Sequence, residues 1–213
     1  MTRSNYEVAK HDAARLFCQT DHTALAKRFG LVEASGFLNL TFFQQPFRLS
    51  LETGLVERLI GDVWTEVGFN EAMTIYDLLG YAQPTCHANG NMMNTKSLSA
   101  KMSAPSAPST SSFYKRQEAL FQECASGLQG ALESLGGQPL GKADASAQFN
   151  VVDDLAMQVH FWCADEDFPP SLELFWDENV LQYMHYETVW YANGFIISEI
   201  EKRLNPFGRA EQR

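Results

Sequence analysis

Three consecutive carboxylates, Asp165, Glu166 and Asp167, stand in the stretch "FWCADEDFPP" between an aromatic pair and two prolines. Carboxylate oxygens are hard ligands for magnesium or calcium. Two that share a site also push one pKa up, as acid–base catalysis requires. With Asp177 or His160 as a further group, the stretch could serve a carboxylate-dependent enzyme, with or without a metal. Two features weigh the other way. Side chains of consecutive residues leaving a strand diverge, so at most two of the three converge unaided. No D-x-D-x-D-G spacing is present to wrap a cation. The preferred reading is a solvated connection between two strands, with Phe168 pinning it to the core and Pro169–Pro170 holding it extended.

Aromatic residues crowd the same region, and Trp162, Trp176 and Tyr183 are the candidate walls of a pocket for a planar ligand. Aromatic walls with a few polar groups are what small-molecule sites use, although aromatics equally dominate cores. Helix packing over the face that His160 shares with Trp162 is the preferred account, with His160 a hydrogen-bonded strand residue. No G-x-S-x-G signature supports Ser/His/Asp chemistry. "LGGQPLGKA" follows a helix and so reads as a helix stop, because a phosphate loop would follow a strand and open a helix.

Cys18, Cys86, Cys124 and Cys163 form no CxxC pair. Cys18, Cys124 and Cys163 therefore read as buried free thiols, and Cys86 with His87 falls in a polar loop. His11, Cys18 and His22 would share one face of a continuous helix, but a break at Thr20–Asp21 removes the alignment. No metal and no cofactor is assigned.

The elements that must position these groups follow from periodicity. Residues 5–19 have helical spacing; Asp21 caps a second helix that Gly30 stops. From Phe37 the period becomes two. Leu38, Leu40 and Phe42, then Phe47, Leu49 and Leu51, then Leu55, Glu57 and Leu59 describe a meander with one wet face, "QQP" joining its first two runs. Asn70 caps a helix that turns Met73, Ile75, Tyr76 and Leu79 inward. Residues 82–112, rich in Ser, Pro, Asn and Ala, read as a long polar loop. One helix covers 112–135. Extended runs follow at 155–163 and 172–176, Asp177 caps "ENVLQYM", and a last helix runs from about Glu187 to Leu204, ahead of a short flexible tail at 205–213. This order predicts a single α+β domain, 1–213, with antiparallel sheet packed against several amphipathic helices.

"ALESLGGQPLGKADASAQF", "VHFWCADEDFPPSLELFWDENVLQYM" and the terminal amphipathic helix together resemble the prokaryotic domain-of-unknown-function family 3786. The correspondence runs through Leu135-Gly136-Gly137, Gly141 with Asp144, the strand to Trp162, the acidic turn Asp165–Pro169, and Phe175 with Asp177. It covers residues 113–204 well, and the hairpin at 37–60 and the "YDLLGYA" helix more loosely. The resemblance implies an architecture and no activity.

The net charge of −10 over 213 residues opposes nucleic acid and anionic membrane, which both reward a basic patch. No apolar run approaches the roughly 20 residues that span a bilayer, and the N-terminus lacks a secretory pattern, so the expected compartment is the cytoplasm. The expected function is a non-catalytic small-molecule-binding or accessory protein. The carboxylate-dependent enzyme is the alternative, and a protein-interaction module using the 82–112 loop is a third reading.

Overall fold

The computed structural model describes residues 4–99 and 114–205. Two helices open it, α1 (Asn5–Phe17) and α2 (His22–Phe29). The Asp21 side chain accepts from Thr23 N, and Gly30 closes α2 in the left-handed region at φ 61°. The break between the helices is where the sequence puts it.

Five strands then form a meander in chain order: β1 (Val32–Ala34), β2 (Phe37–Phe42), β3 (Gln45–Ser50), β4 (Val56–Ile60) and β5 (Val63–Glu66), each antiparallel to the next. The link between β2 and β3 is not "QQP". Pro46 lies inside β3, opposite Thr41, and the turn is Phe43–Gln44, with φ of 47° and 58°. Left-handed backbone at both central residues suits a two-residue hairpin but is strained for a phenylalanine. Burial offsets the strain. Phe43 is inaccessible to solvent, its ring packs against Phe195 at 5.3 Å, and its N–H donates to Val151 O at 2.9 Å in the other sheet.

The expected parity of β4 is reversed. Val56 and Arg58 face inward, while Leu55, Glu57 and Leu59 are half-exposed. Arg58 can occupy the inner face because Glu199 of the last helix pairs with it at 3.1 Å, and Gln45 accepts from it at 3.2 Å. A buried cation needs such partners.

Helix α3 (Phe69–Tyr81) buries Ala72, Thr74, Ile75, Leu78 and Leu79; its N-cap is Gly68, so Asn70 lies within the helix and does not cap it. The 82–112 segment is not all loop. It supplies β6 (Met92–Asn94) and the single turn α4 (Thr95–Leu98), and its residues 100–112 lie outside the described residues, as does the tail from 206. The expected helix at 112–135 is two, α5 (Lys115–Glu123) and α6 (Ala125–Ser134), divided at Cys124. Cys124, Ser126 and Gly127, of modest to low helix propensity, stand at the break. Gly136, at φ 91°, then ends the run.

The second sheet has the order β6-β10-β9-β8-β7, all antiparallel, from β7 (Gln138–Pro139), β8 (Ala145–Val152), β9 (Leu155–Trp162) and β10 (Ser171–Asp177). Its strand β8 was not foreseen. A 3₁₀ turn, Val180–Gln182, takes the place of the helix expected after Asp177, and α7 (Tyr186–Leu204) completes the α+β fold. Phe42, Phe47, Phe149, Phe161, Trp176 and Phe195 belong to a hydrophobic cluster that joins both sheets to the helices.

Candidate functional site

The acidic stretch connects β9 to β10 and is closed by its own backbone. Asp165 Oδ1 accepts from Asp167 N at 2.9 Å and Phe168 N at 2.8 Å, while Asp165 N donates to Phe168 O at 3.0 Å. One carboxylate is thus committed to holding the turn, and Glu166 and Asp167 are exposed. The anchor expected of Phe168 is absent: the side chain is 70% exposed. Other groups tie the connection down. Asp144 Oδ2 accepts from Cys163 N at 2.7 Å, Gln122 Oε1 from Ala164 N at 2.7 Å and Glu118 Oε1 from Leu172 N at 3.2 Å.

These anchors frame an open cleft of about 1120 Å³. Trp162, Phe168, Pro169 and Pro170 supply its apolar surface; Asp144, Asp165, Glu118 and Glu173 supply four carboxylates, against Lys96 and Lys115. Glu173 Oε2 accepts from Asn94 at 2.9 Å, and Lys96 Nζ lies 4.0 Å from Glu173 Oε1. Cys163, half-buried at the rim, has its thiol pKa raised by burial and by Asp144 beside it.

The other sequence candidates are dispersed. His160 lies in the middle of β9, opposite Glu173, with its ring against Phe175 at 4.7 Å and Trp162 at 5.6 Å and Nε2 3.1 Å from Gln158 Oε1. These ring contacts come from strand side chains, where helix packing was expected. Burial, then nearby Lys142, lowers its pKa. Asp177 is at the far end of β10, about 20 Å from the acidic connection at the usual strand rise. It caps no α-helix. It accepts from Asn179 N at 2.9 Å through Oδ1, and from Asn89 N at 3.0 Å and Gly90 N at 2.7 Å through Oδ2.

Trp176 is wholly buried and donates to Asn193 Oδ1 at 2.9 Å. Tyr183 is wholly buried elsewhere, bonded to Asp154, where burial first and Asp154 second raise its pKa. Of the three aromatic candidates only Trp162 reaches the cleft. Cys86 meets Arg28 and Tyr183 there, and burial lifts its thiol pKa. Cys18, Cys124 and Cys163, expected to be buried, are free but half-buried. Among the described residues, no three His, Cys, Asp or Glu side chains group as a metal site.

The sequence reading missed Asp144, Glu118, Glu173 and Lys96. Their signal was register: Glu173 pairs with His160, and Asp144 leads β8, whose Ala145 pairs with Phe161. No helix among the described residues is long and apolar enough to cross a membrane. A family model described as a domain of unknown function (DUF3786) matches residues 21–199, and the chain belongs to that family. The match reaches well back from the 113–204 region that carried the resemblance. No curated protein and no solved structure matches the chain.

Proposed function

We propose that this member of the DUF3786 family is a binding protein that holds a small organic cation in the cleft beside the acidic connection. The observation that carries the reading is the lining: among the described residues, two aromatic side chains stand with four carboxylates and two lysines. Aromatic faces and carboxylates both attract an ammonium or guanidinium group, and a cation–π contact is worth about 1 kcal/mol at an exposed site and about 2 kcal/mol where water is excluded. Asp144, Asp165 and Glu118 are each fixed by backbone N–H groups, so little side-chain freedom is lost when a ligand arrives.

Binding without chemistry fits this arrangement better than acid–base catalysis does. Asp165 is committed to its own turn, Asp177 is distant, and His160 is buried against Gln158. The test is titration of the protein with benzyltrimethylammonium and with phenylacetate, followed by tryptophan fluorescence and calorimetry. The cation binds, the anion does not, and Trp162→Ala and Phe168→Ala each weaken the cation about tenfold. Equal binding of the two probes, or cation binding untouched by both substitutions, overturns the proposal.

A further inference from the structure

A second cleft, of about 690 Å³, lies between α1, α3 and the start of α7. Its volume falls within the range of small-molecule sites. Phe17, Leu25, Met73 and Leu79 give it an apolar floor, and His185 and Asp77 stand at its rim.

The geometry of that pair is unusually constrained for an exposed histidine. Asp77 Oδ2 accepts from His185 N at 2.8 Å, and Asp77 Oδ1 lies 2.6 Å from His185 Nδ1. The imidazole also lies against Tyr81, with ring centroids 3.7 Å apart. Backbone, Nδ1 and ring face are therefore all engaged, which fixes the orientation of the ring. With Nδ1–H donating to the carboxylate, the neutral imidazole presents Nε2 as an acceptor. The carboxylate sets the tautomer here as it does behind metal-bound and catalytic histidines.

We propose that this cleft is a binding site for a neutral, largely apolar molecule bearing a hydroxyl group, which donates its O–H to Nε2 of His185. The lining selects the class. Apolar residues form the floor, and among the described residues no lysine or arginine lines the cleft, so an anion would meet Asp77 and Glu187 without a counter-charge. Asp77 and Glu187 are held by His185 and by the Tyr191 hydroxyl at 2.7 Å, and the apolar floor favours a neutral body that needs only the one acceptor. A neutral hydroxyl compound does not meet the repulsion an anion would. The site is independent of the cleft beside the acidic connection, which different elements form.

The test uses the full chain, carbon-labelled at histidine, and two probes of near-equal shape, 4-ethylphenol and 4-ethylanisole. The phenol shifts the His185 ring resonances saturably and binds about tenfold more tightly than its methyl ether, the value of one hydrogen bond. Asp77→Asn narrows that discrimination while leaving the ether's affinity intact. Met73→Trp, which fills the cleft, abolishes both; if its amide spectrum shows an unfolded chain, Leu25→Phe takes its place. Equal affinity for phenol and ether, a phenol shift that survives filling of the cleft, or no saturable shift at the phenol's solubility limit overturns the proposal.

Discussion

Asp165 and Asp177 stand at opposite ends of one stretch of sheet and do the same chemical job in different surroundings. Each uses carboxylate oxygens to collect backbone N–H groups that have no other partner. Asp165 gathers donors two and three residues away, at the surface. Asp177 is 1% exposed, and two of its three donors, Asn89 and Gly90, come from 88 and 87 residues away. The first shapes a turn that water could also satisfy. The second is a buried carboxylate that fixes the exposed segment leading into β6 against the end of β10. The difference teaches that burial, and the distance along the chain over which a bond acts, decide what an aspartate is worth to a fold.

Removing each carboxylate tests that contrast. Asp177→Ala leaves three N–H groups without their acceptor, two of them in exposed residues, and is expected to cost about 2 kcal/mol in urea unfolding, with faster hydrogen exchange at Asn89 and Gly90. A loss below about 1 kcal/mol would erase the distinction between the two ends. Asp165→Ala is expected to cost about 1 kcal/mol, the usual worth of a capping side chain, and Asp165→Asn less, because asparagine caps as well.

His160, between the two ends, sharpens the comparison through pH. Its folded pKa lies below the ordinary 6.5, chiefly because burial disfavours the charged ring. The unfolded chain therefore binds the proton more readily, and stability falls as pH drops through 6.5 toward the folded value. Urea midpoints from pH 7.5 to 5 should show this slope, and His160→Gln should flatten it. The smallest effect belongs to Phe168. Phe168→Ala should change the unfolding free energy by less than about 0.5 kcal/mol while weakening benzyltrimethylammonium binding. A larger stability loss would restore Phe168 as an anchor.

The same contrast explains what the sequence made legible. Local signals were read well: Asp21 and Gly30 bound α2, and Leu38, Leu40, Phe42, Phe47 and Leu49 alternate as β2 and β3 do. Long-range compensation was invisible. Leu55 and Leu59 looked like core because nothing local says that Arg58 will find Glu199. β8, with two alanines, a serine and a glutamine in its first four residues, lacks the β-branched run that marks a strand, yet it pairs with β9 over most of its length. The acidic stretch was located correctly as a strand connection. Its cleft was not, because Glu118, Asp144 and Glu173 come together only through register and helix placement. Asp77 and His185 are 108 residues apart, and neither belongs to a motif.

The position of β6 also carries a consequence for synthesis. Its Asn94 pairs with Phe175, about eighty residues further along the chain. A ribosome adding about 5–20 residues each second takes roughly 4 to 16 seconds to reach that partner. The first sheet, made of neighbouring hairpins, can close while the nascent chain is still short. β6 must wait with its ladder groups unpaired until the last strand emerges, so the second sheet closes only after nearly the whole chain has been made.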